Sequence, residues 1–290
     1  MILGFSDYES QGRRLADALG LPFALVGLHR FPDGESKVTL PSPLPERVTL
    51  CRSLDRPNEK LVEVMLAAAT ARELGARHVT LVAPYLCYMR QDIAFRSGEA
   101  VSQRIVGRFL ADHVDALLTV DPHLHRIRHL NDVMPGIHAR ALSCAALAGE
   151  FLRDRAHGPL LVGPDSESEQ WVRAVAAPAG LDYVVASKER LGDREVRVTL
   201  PERHYRAREV VLVDDMASTG RTMVTVAAAL RTHGAHPIHC FVTHALHDGE
   251  AARLMHEAGI ENIWSSDSVT HPSNAVSLTP LLAAALRAID

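Results

Sequence analysis

The chain has no surplus of positive charge. Its 290 residues hold 31 Lys and Arg against 35 Asp and Glu, a formal net charge of −4. A protein built mainly on nucleic-acid phosphate contacts needs a large cationic excess, so that class is excluded. No apolar run approaches the roughly 18 residues that span a bilayer, so no membrane partner is expected. The start, MILGFSDYES, lacks the basic n-region of a secretory leader, which makes the cytoplasm the expected compartment. Cysteine is sparse: Cys51, Cys87, Cys144 and Cys240 lie far apart, with neither C-x-x-C nor metal-ligand spacing, and read as small core residues. Neither a G-K-[ST] phosphate loop nor a dinucleotide G-x-G-x-x-G occurs. Low-complexity linkers and short-period repeats are absent too. What remains is 47% hydrophobic and 23% charged, ordinary globular values, and long enough for two domains.

Short β-branched runs alternate with longer Ala-rich helical stretches. RVTLC (47–51), HVTLVAPY (78–85), ALLTVD (116–121), GPLLVGPD (158–165), DYVVASKER (182–190), EVVLVDDM (209–216), PIHCFVTHAL (237–246) and ENIWSSDSV (261–269) read as strands. NEKLVEVMLAAATARELGA (58–76), AVSQRIVGRFLADHV (100–114), CAALAGEFLRDRA (144–156), TMVTVAAALRTHG (222–234) and LTPLLAAALRAI (278–289) read as helices. Strands separated by helices predict parallel sheets with right-handed crossovers, and nearly continuous apolar runs predict strands covered on both faces. The rhythm repeats in the two halves, giving domains at 1–140 and 141–290, with the last helix free to pack on the first.

The segment EVVLVDDMASTGRT (209–222) carries the most chemistry. A buried run delivers Asp214 and Asp215 to a strand's carboxyl end, where α/β sheets place ligands. Ser218, Thr219, Gly220, Arg221 and Thr222 then open a helix. Hydroxyls and N–H groups at a helix N-terminus suit a phosphate monoester. Carboxylates cannot bind phosphate, but they accept hydrogen bonds from vicinal hydroxyls. The combination reads as a sugar-phosphate site; the plainer reading is an ordinary strand-to-helix turn with a Ser/Thr cap.

VVLVDDMASTGRT resembles the phosphoribosyl diphosphate-binding signature of type I phosphoribosyltransferases and of ribose-phosphate diphosphokinases. RFPDGESKV (30–38), APYLCYMRQDIAFRSGEAVS (83–102), TVDPHLH (119–125), VGPDSESE (162–169) and SKERLGDREV (187–196) are similar, in order, to diphosphokinase segments. The resemblance covers nearly the whole chain and is nearest to the short, archaeal-type diphosphokinases. It implies two similar α/β domains of phosphoribosyltransferase type, each a mostly parallel sheet flanked by helices. It also implies transfer of the diphosphoryl group of ATP to the C1 hydroxyl of ribose 5-phosphate, with Mg²⁺, in a homodimer or larger homo-oligomer. Phe31, Asp33, Gly34 and Glu35 would hold adenine and its ribose, and Arg90 and Gln91 the nucleotide and its phosphates. His123 and Asp165 would organise the metal, with Asp121 nearby. Asp214 and Asp215 would take the sugar hydroxyls, residues 218–222 the 5-phosphate, and Lys188 and Arg190 would be the catalytic cations.

Lys188 and Arg190 are two apart on an extended segment, so both side chains fall on one face; outside this context a K-E-R triplet is only a solvated cluster. Asp33-Gly34 alone is a common turn, and the plainer alternative for Arg90, Gln91, Asp92, Arg96 and Glu99 is a solvated loop face. His123 and His125 have the H-x-H spacing of zinc ligands, which leaves a metal hydrolase as a weaker rival. A silent regulatory paralogue that binds nucleotide or sugar phosphate is a second rival, and a type I phosphoribosyltransferase a third. Three departures from the family stand out. Ser166-Glu167-Ser168-Glu169 replaces small residues and glycines, and the expectation is that Glu167 and Glu169 turn away from a diphosphate or reach it through metal or water. Ser218 and Arg221 replace an acid and a glycine. Leu191-Gly192-Asp193 replaces a basic cluster.

Overall fold

The computed structural model describes residues 1–127, 129–155, 158–190 and 196–289, and only the backbone of residues 189, 190, 196 and 197. The chain forms two compact units, Met1–Leu142 with Ser268–Thr270 and Leu278–Asp290, and Ser143–Asp267 with His271–Ser277.

The first unit runs β1 (Ile2–Gly4), α1 (Glu9–Leu19), β2 (Phe23–Leu25), β3 (Gly27–Arg30), β4 (Ser36–Thr39), β5 (Arg47–Cys51), α2 (Pro57–Glu73), β6 (His78–Val82), α3 (Ser102–Ala111), β7 (Ala116–Val120) and β8 (His138–Leu142). Six of these strands form one sheet, ordered β2-β1-β5-β6-β7-β8, with every pairing parallel. β3 and β4 stand outside it as an antiparallel hairpin, in register from Gly27↔Thr39 to Arg30↔Ser36.

The second unit runs α4 (Ala145–Arg155), β9 (Leu160–Gly163), α5 (Glu169–Ala179), β10 (Tyr183–Val185), β11 (Ser187–Arg190), β12 (Val196–Thr199), β13 (Val210–Ala217), α6 (Arg221–Thr232), β14 (Ile238–Ala245), α7 (Gly249–Glu257), β15 (Ile260–Ser266) and β16 (Asn274–Val276). Its parallel sheet is ordered β10-β9-β13-β14-β15-β16, and β11–β12 is again a separate antiparallel hairpin. Each strand stands eight places after its counterpart, so the two units share one topology. α8 (Thr279–Arg287) belongs to the first unit, where it packs on α1; Arg287 donates to the Ala18 carbonyl at 2.5 Å.

The central strands are apolar on both faces, as expected for parallel sheets covered by helices. Val210 to Val213 and all of β14 are buried. The helices bury one stripe: in α2 the buried positions include Leu61, Val64, Ala67, Ala68 and Ala71, at spacings of three and four. Pro57, whose missing N–H would be unpaired there in any case, opens that helix. All four cysteines are buried and form no disulfide, and burial pushes the Cys87 thiol up to about 12. Among the described residues no helix is long and apolar enough to cross a membrane.

One sequence expectation changes. The run 182–190 is two strands: β10 ends at Val185, and β11 pairs instead with β12. Periodicity records an extended chain but not a change of partner. The 30–38 segment supplies the turn of a hairpin, β3–β4, whose strands are only four residues each.

Candidate active site

In the second unit, β13 carries Asp214 and Asp215 to the carboxyl edge of the sheet, and β9, its parallel neighbour, carries Asp165 there. Asp165 Oδ1 accepts hydrogen bonds from the backbone N–H groups of Glu167 (3.1 Å) and Ser168 (3.2 Å), fixing a short helical turn as an N-cap does. Asp215 is buried, Asp214 is half-buried, and Asp214 Oδ1 accepts from the Asp215 N–H at 3.0 Å. Burial pushes the Asp214 carboxyl well above its ordinary value, and the Asp215 and Asp165 carboxylates push it further. Three acids gathered this closely suit hydroxyl donors and a hard cation with oxygen ligands, which fits Mg²⁺.

The chain then turns through exposed Ser218 and Thr219 into α6. Gly220 precedes that helix at φ 68°, ψ −5°, a left-handed conformation. The positive φ favours glycine, and a Cβ there would lie 3.1 Å from Met255 Cγ, a tight contact that the methionine would have to yield to. The first N–H groups of α6, the Ser218 and Thr219 hydroxyls and exposed Arg221 lie at one helix N-terminus, an arrangement of donors that suits an anion. From β11, Lys188 Nζ donates to Thr222 Oγ1 at 3.4 Å. Acids, phosphate loop and Lys188 are therefore together on one unit. The Arg190 side chain lies outside the described residues.

The first unit holds the other predicted set. Residues 31–35 form the β3–β4 turn, all of them exposed. Phe31 N–H donates to the Glu35 carbonyl (2.8 Å), Gly34 N–H to the Phe31 carbonyl (3.0 Å), and Glu35 N–H to Asp33 Oδ1 (3.2 Å). Gly34 takes φ 95°, which glycine permits. An exposed phenylalanine held on a tight turn offers a stacking face for a base. Arg90 is exposed, and the Gln91 carbonyl accepts from the Gln103 N–H of α3 (3.2 Å).

Beyond β7, Asp121 sits at φ 37°, an uncommon conformation that aspartate tolerates better than most residues. His123 and His125 follow, with Nε2 atoms 2.5 Å apart and rings edge-on at 4.2 Å. Two imidazole nitrogens so placed need a proton or a cation between them.

Asp92 corrects the reading of residues 90–99 as a solvated loop. Its carboxylate is buried, Oδ1 accepts from Arg126 at 2.6 Å, and Oδ2 has no partner among the described residues. Arg90, Arg96 and Glu99 are exposed, so the loop mixes a buried anchor with a solvated face. Glu63 is another buried acid that the sequence does not announce. The available signal is its place on α2 between the turns of Lys60 and Ala67, toward the buried stripe.

Doubled parallel sheets, each with an attached hairpin and one with strand-end acids leading into a phosphate loop, define a phosphoribosyltransferase-type protein. Residues 1–113 match the family described as the N-terminal domain of ribose phosphate pyrophosphokinase, and residues 136–274 the phosphoribosyl transferase domain. The chain is 38% identical over 289 residues to the ribose-phosphate pyrophosphokinase of Methanopyrus kandleri, covering 99% of this chain and 98% of the relative. It is 32% identical over 288 residues to that of Methanosarcina acetivorans, covering 99% of both. The phosphoribosylpyrophosphate synthetase of Mycobacterium smegmatis has the same fold, with a TM-score of 0.85 at 21% identity over 100% of this chain and 98% of that one. The chain belongs to the ribose-phosphate pyrophosphokinase family.

Proposed function

We infer that this protein is a ribose-phosphate diphosphokinase. The C1 hydroxyl of ribose 5-phosphate attacks the β-phosphorus of ATP, the bond from that phosphorus to the α–β bridging oxygen breaks, and AMP leaves. The product is 5-phosphoribosyl 1-diphosphate. One observation supports this most: Lys188 reaches Thr222 beside a loop whose upstream acids are crowded enough to raise the Asp214 carboxyl.

In this reading Asp214 and Asp215 accept hydrogen bonds from the 2- and 3-hydroxyls, and residues 218–222 hold the 5-phosphate. Phe31 stacks on adenine, while Asp33, Gly34 and Glu35 hold its ribose. Arg90 and Gln91 hold the nucleotide and its phosphates. Lys188 and Arg190 neutralise charge as the diphosphoryl group moves, so catalysis rests on positioning and electrostatic stabilisation. The candidate Mg²⁺ ligands are His123, with Asp121 nearby, in the first unit and Asp165 in the second, and a bound ion would neutralise phosphate charge. The enzyme would act in the cytoplasm as a homodimer or larger homo-oligomer.

Incubation with ATP, ribose 5-phosphate and Mg²⁺, followed by phosphorus NMR, tests the reading. AMP formation that depends on ribose 5-phosphate is expected. Binding of either substrate without turnover, or release of inorganic phosphate instead, contradicts it.

A further inference from the structure

We propose that Glu63 is a positioning residue for ATP, one that sets the attitude of the 31–35 turn from beneath; this rests on the reading of that turn as the nucleotide site. A two-stranded hairpin is marginal by itself, and β3–β4 pairs with neither six-stranded sheet. Its orientation therefore depends on what its inner face touches. Cross-strand partners share a face, and alternate pairs share it again. Leu28↔Val38 and Arg30↔Ser36 thus line one side of the hairpin. Leu28 and Val38 pack on the hydrophobic core of the first unit. At the turn end the contact becomes polar. The Ser36 hydroxyl donates to Glu63 Oε1 at 2.7 Å, and the Arg30 guanidinium lies 3.7 Å from the same oxygen while pairing with Glu59.

Glu63 is itself held rigidly. It is buried, at 3% exposure, and its Oε2 accepts from Arg52 at 2.6 Å. Arg52 is also buried, donates to Asp7 at 3.1 and 3.3 Å, and lies over the Phe5 ring at 4.3 Å. Lys60, one turn before Glu63 on α2, pairs with Asp7 at 2.6 Å and with Asp55 at 2.7 Å. The carboxylate therefore joins a fixed ionic cluster in the core to the two residues that flank the turn. Phe31, Asp33 and Glu35 stand on that turn, and a tilt of its base moves all three together.

The test uses the full chain with Ser36→Ala, Ser36→Thr, Glu63→Gln and, as a reference, Phe31→Ala. Ser36→Ala removes the hairpin's bond and leaves the Arg52 pair intact, so folding is preserved even where Glu63→Gln unfolds the chain. Losing one hydrogen bond to a buried carboxylate should raise the KM for ATP about five- to tenfold. The KM for ribose 5-phosphate should not move, the melting midpoint should fall only slightly because the Arg52 pair remains, and Ser36→Thr should restore the wild-type value. An unchanged ATP KM in Ser36→Ala, or equal movement of both KM values, overturns the proposal. If ATP KM rises in Phe31→Ala but not in Ser36→Ala, only the positioning role fails. If Phe31→Ala has no effect on it, the nucleotide-turn reading fails as well.

Discussion

The connections β5–α2 and β13–α6 occupy the same place in the two units, yet their chemistry is opposite. Both enter a helix through a left-handed residue, Arg56 at φ 50° and Gly220 at φ 68°. After β5, the buried cations are paired within the protein, Arg52 with Asp7 and Glu63, and Lys60 with Asp7, Asp55 and the Ser53 carbonyl, although the buried Ser53 hydroxyl has no partner among the described residues. At the end of β13, acid faces acid, and Ser218 and Thr219 are exposed. A strand end whose charges are paired internally stiffens a fold, whereas one whose charges crowd each other is organised for a ligand. The two units thus carry one copy of this turn whose charges are paired internally and one that, in the proposed reading, is the binding copy.

The largest effect expected is on turnover. Lys188→Ala should lower kcat about 1,000-fold in a steady-state assay, the scale of removing one preorganised cationic or oxyanion-type partner. Near wild-type turnover would remove Lys188 from the binding copy. Arg52→Met tests the internally paired copy: it leaves Glu63 buried without its main partner and should cost about 3 kcal/mol of stability in denaturant unfolding. A stability loss below roughly 0.5 kcal/mol, typical of surface substitutions, would show that the β5 cluster is not structural. Asp214→Asn should do the reverse. It should raise the KM for ribose 5-phosphate about 30-fold, as expected for lost hydrogen bonds to a charged acceptor, while the melting midpoint holds or rises.

The smallest effect is the pH dependence, and its sign separates the two copies. Burial pulls the Asp7 carboxyl upward, but the Lys60 hydrogen bond and the charges of Arg52 and Lys60 outweigh it and hold the group below its ordinary value. Its stabilisation is present above the unfolded pKa and is lost as pH falls through the folded one. Asp214 is raised, so its ionisation costs stability as pH climbs from the ordinary carboxylate range through the folded value. Melting midpoints against pH should therefore lose an acid-side fall in Asp7→Asn and an upper-side fall in Asp214→Asn. The same slope in both variants would mean that the strand ends do not differ.

The parallel architecture and the sugar-phosphate loop are legible in the sequence because each depends on local residues. Apolar runs make doubly covered strands, and DDMASTG places acids, hydroxyls and a left-handed glycine within seven residues. The duplication shows only as rhythm, since its two strand ends share geometry but few residue types. The β5 cluster is not legible. Asp7, Arg52 and Glu63 are scattered over 57 positions of the sequence, and only sheet pairing and the packing of α2 bring them together. Asp92 escapes for the same reason: Arg126, 34 residues away, is the partner that makes its burial possible.

The most direct test of the contrast is the shift in melting midpoint caused by saturating ribose 5-phosphate, measured on the wild type, Arg52→Met and Asp214→Asn. Ligand that binds only the folded state raises the midpoint by mass action. The account predicts an undiminished shift in Arg52→Met, from a lower starting midpoint, and a clearly smaller one in Asp214→Asn at the same ribose 5-phosphate concentration. A full shift in Asp214→Asn, or its disappearance in Arg52→Met while the protein remains folded, would contradict it.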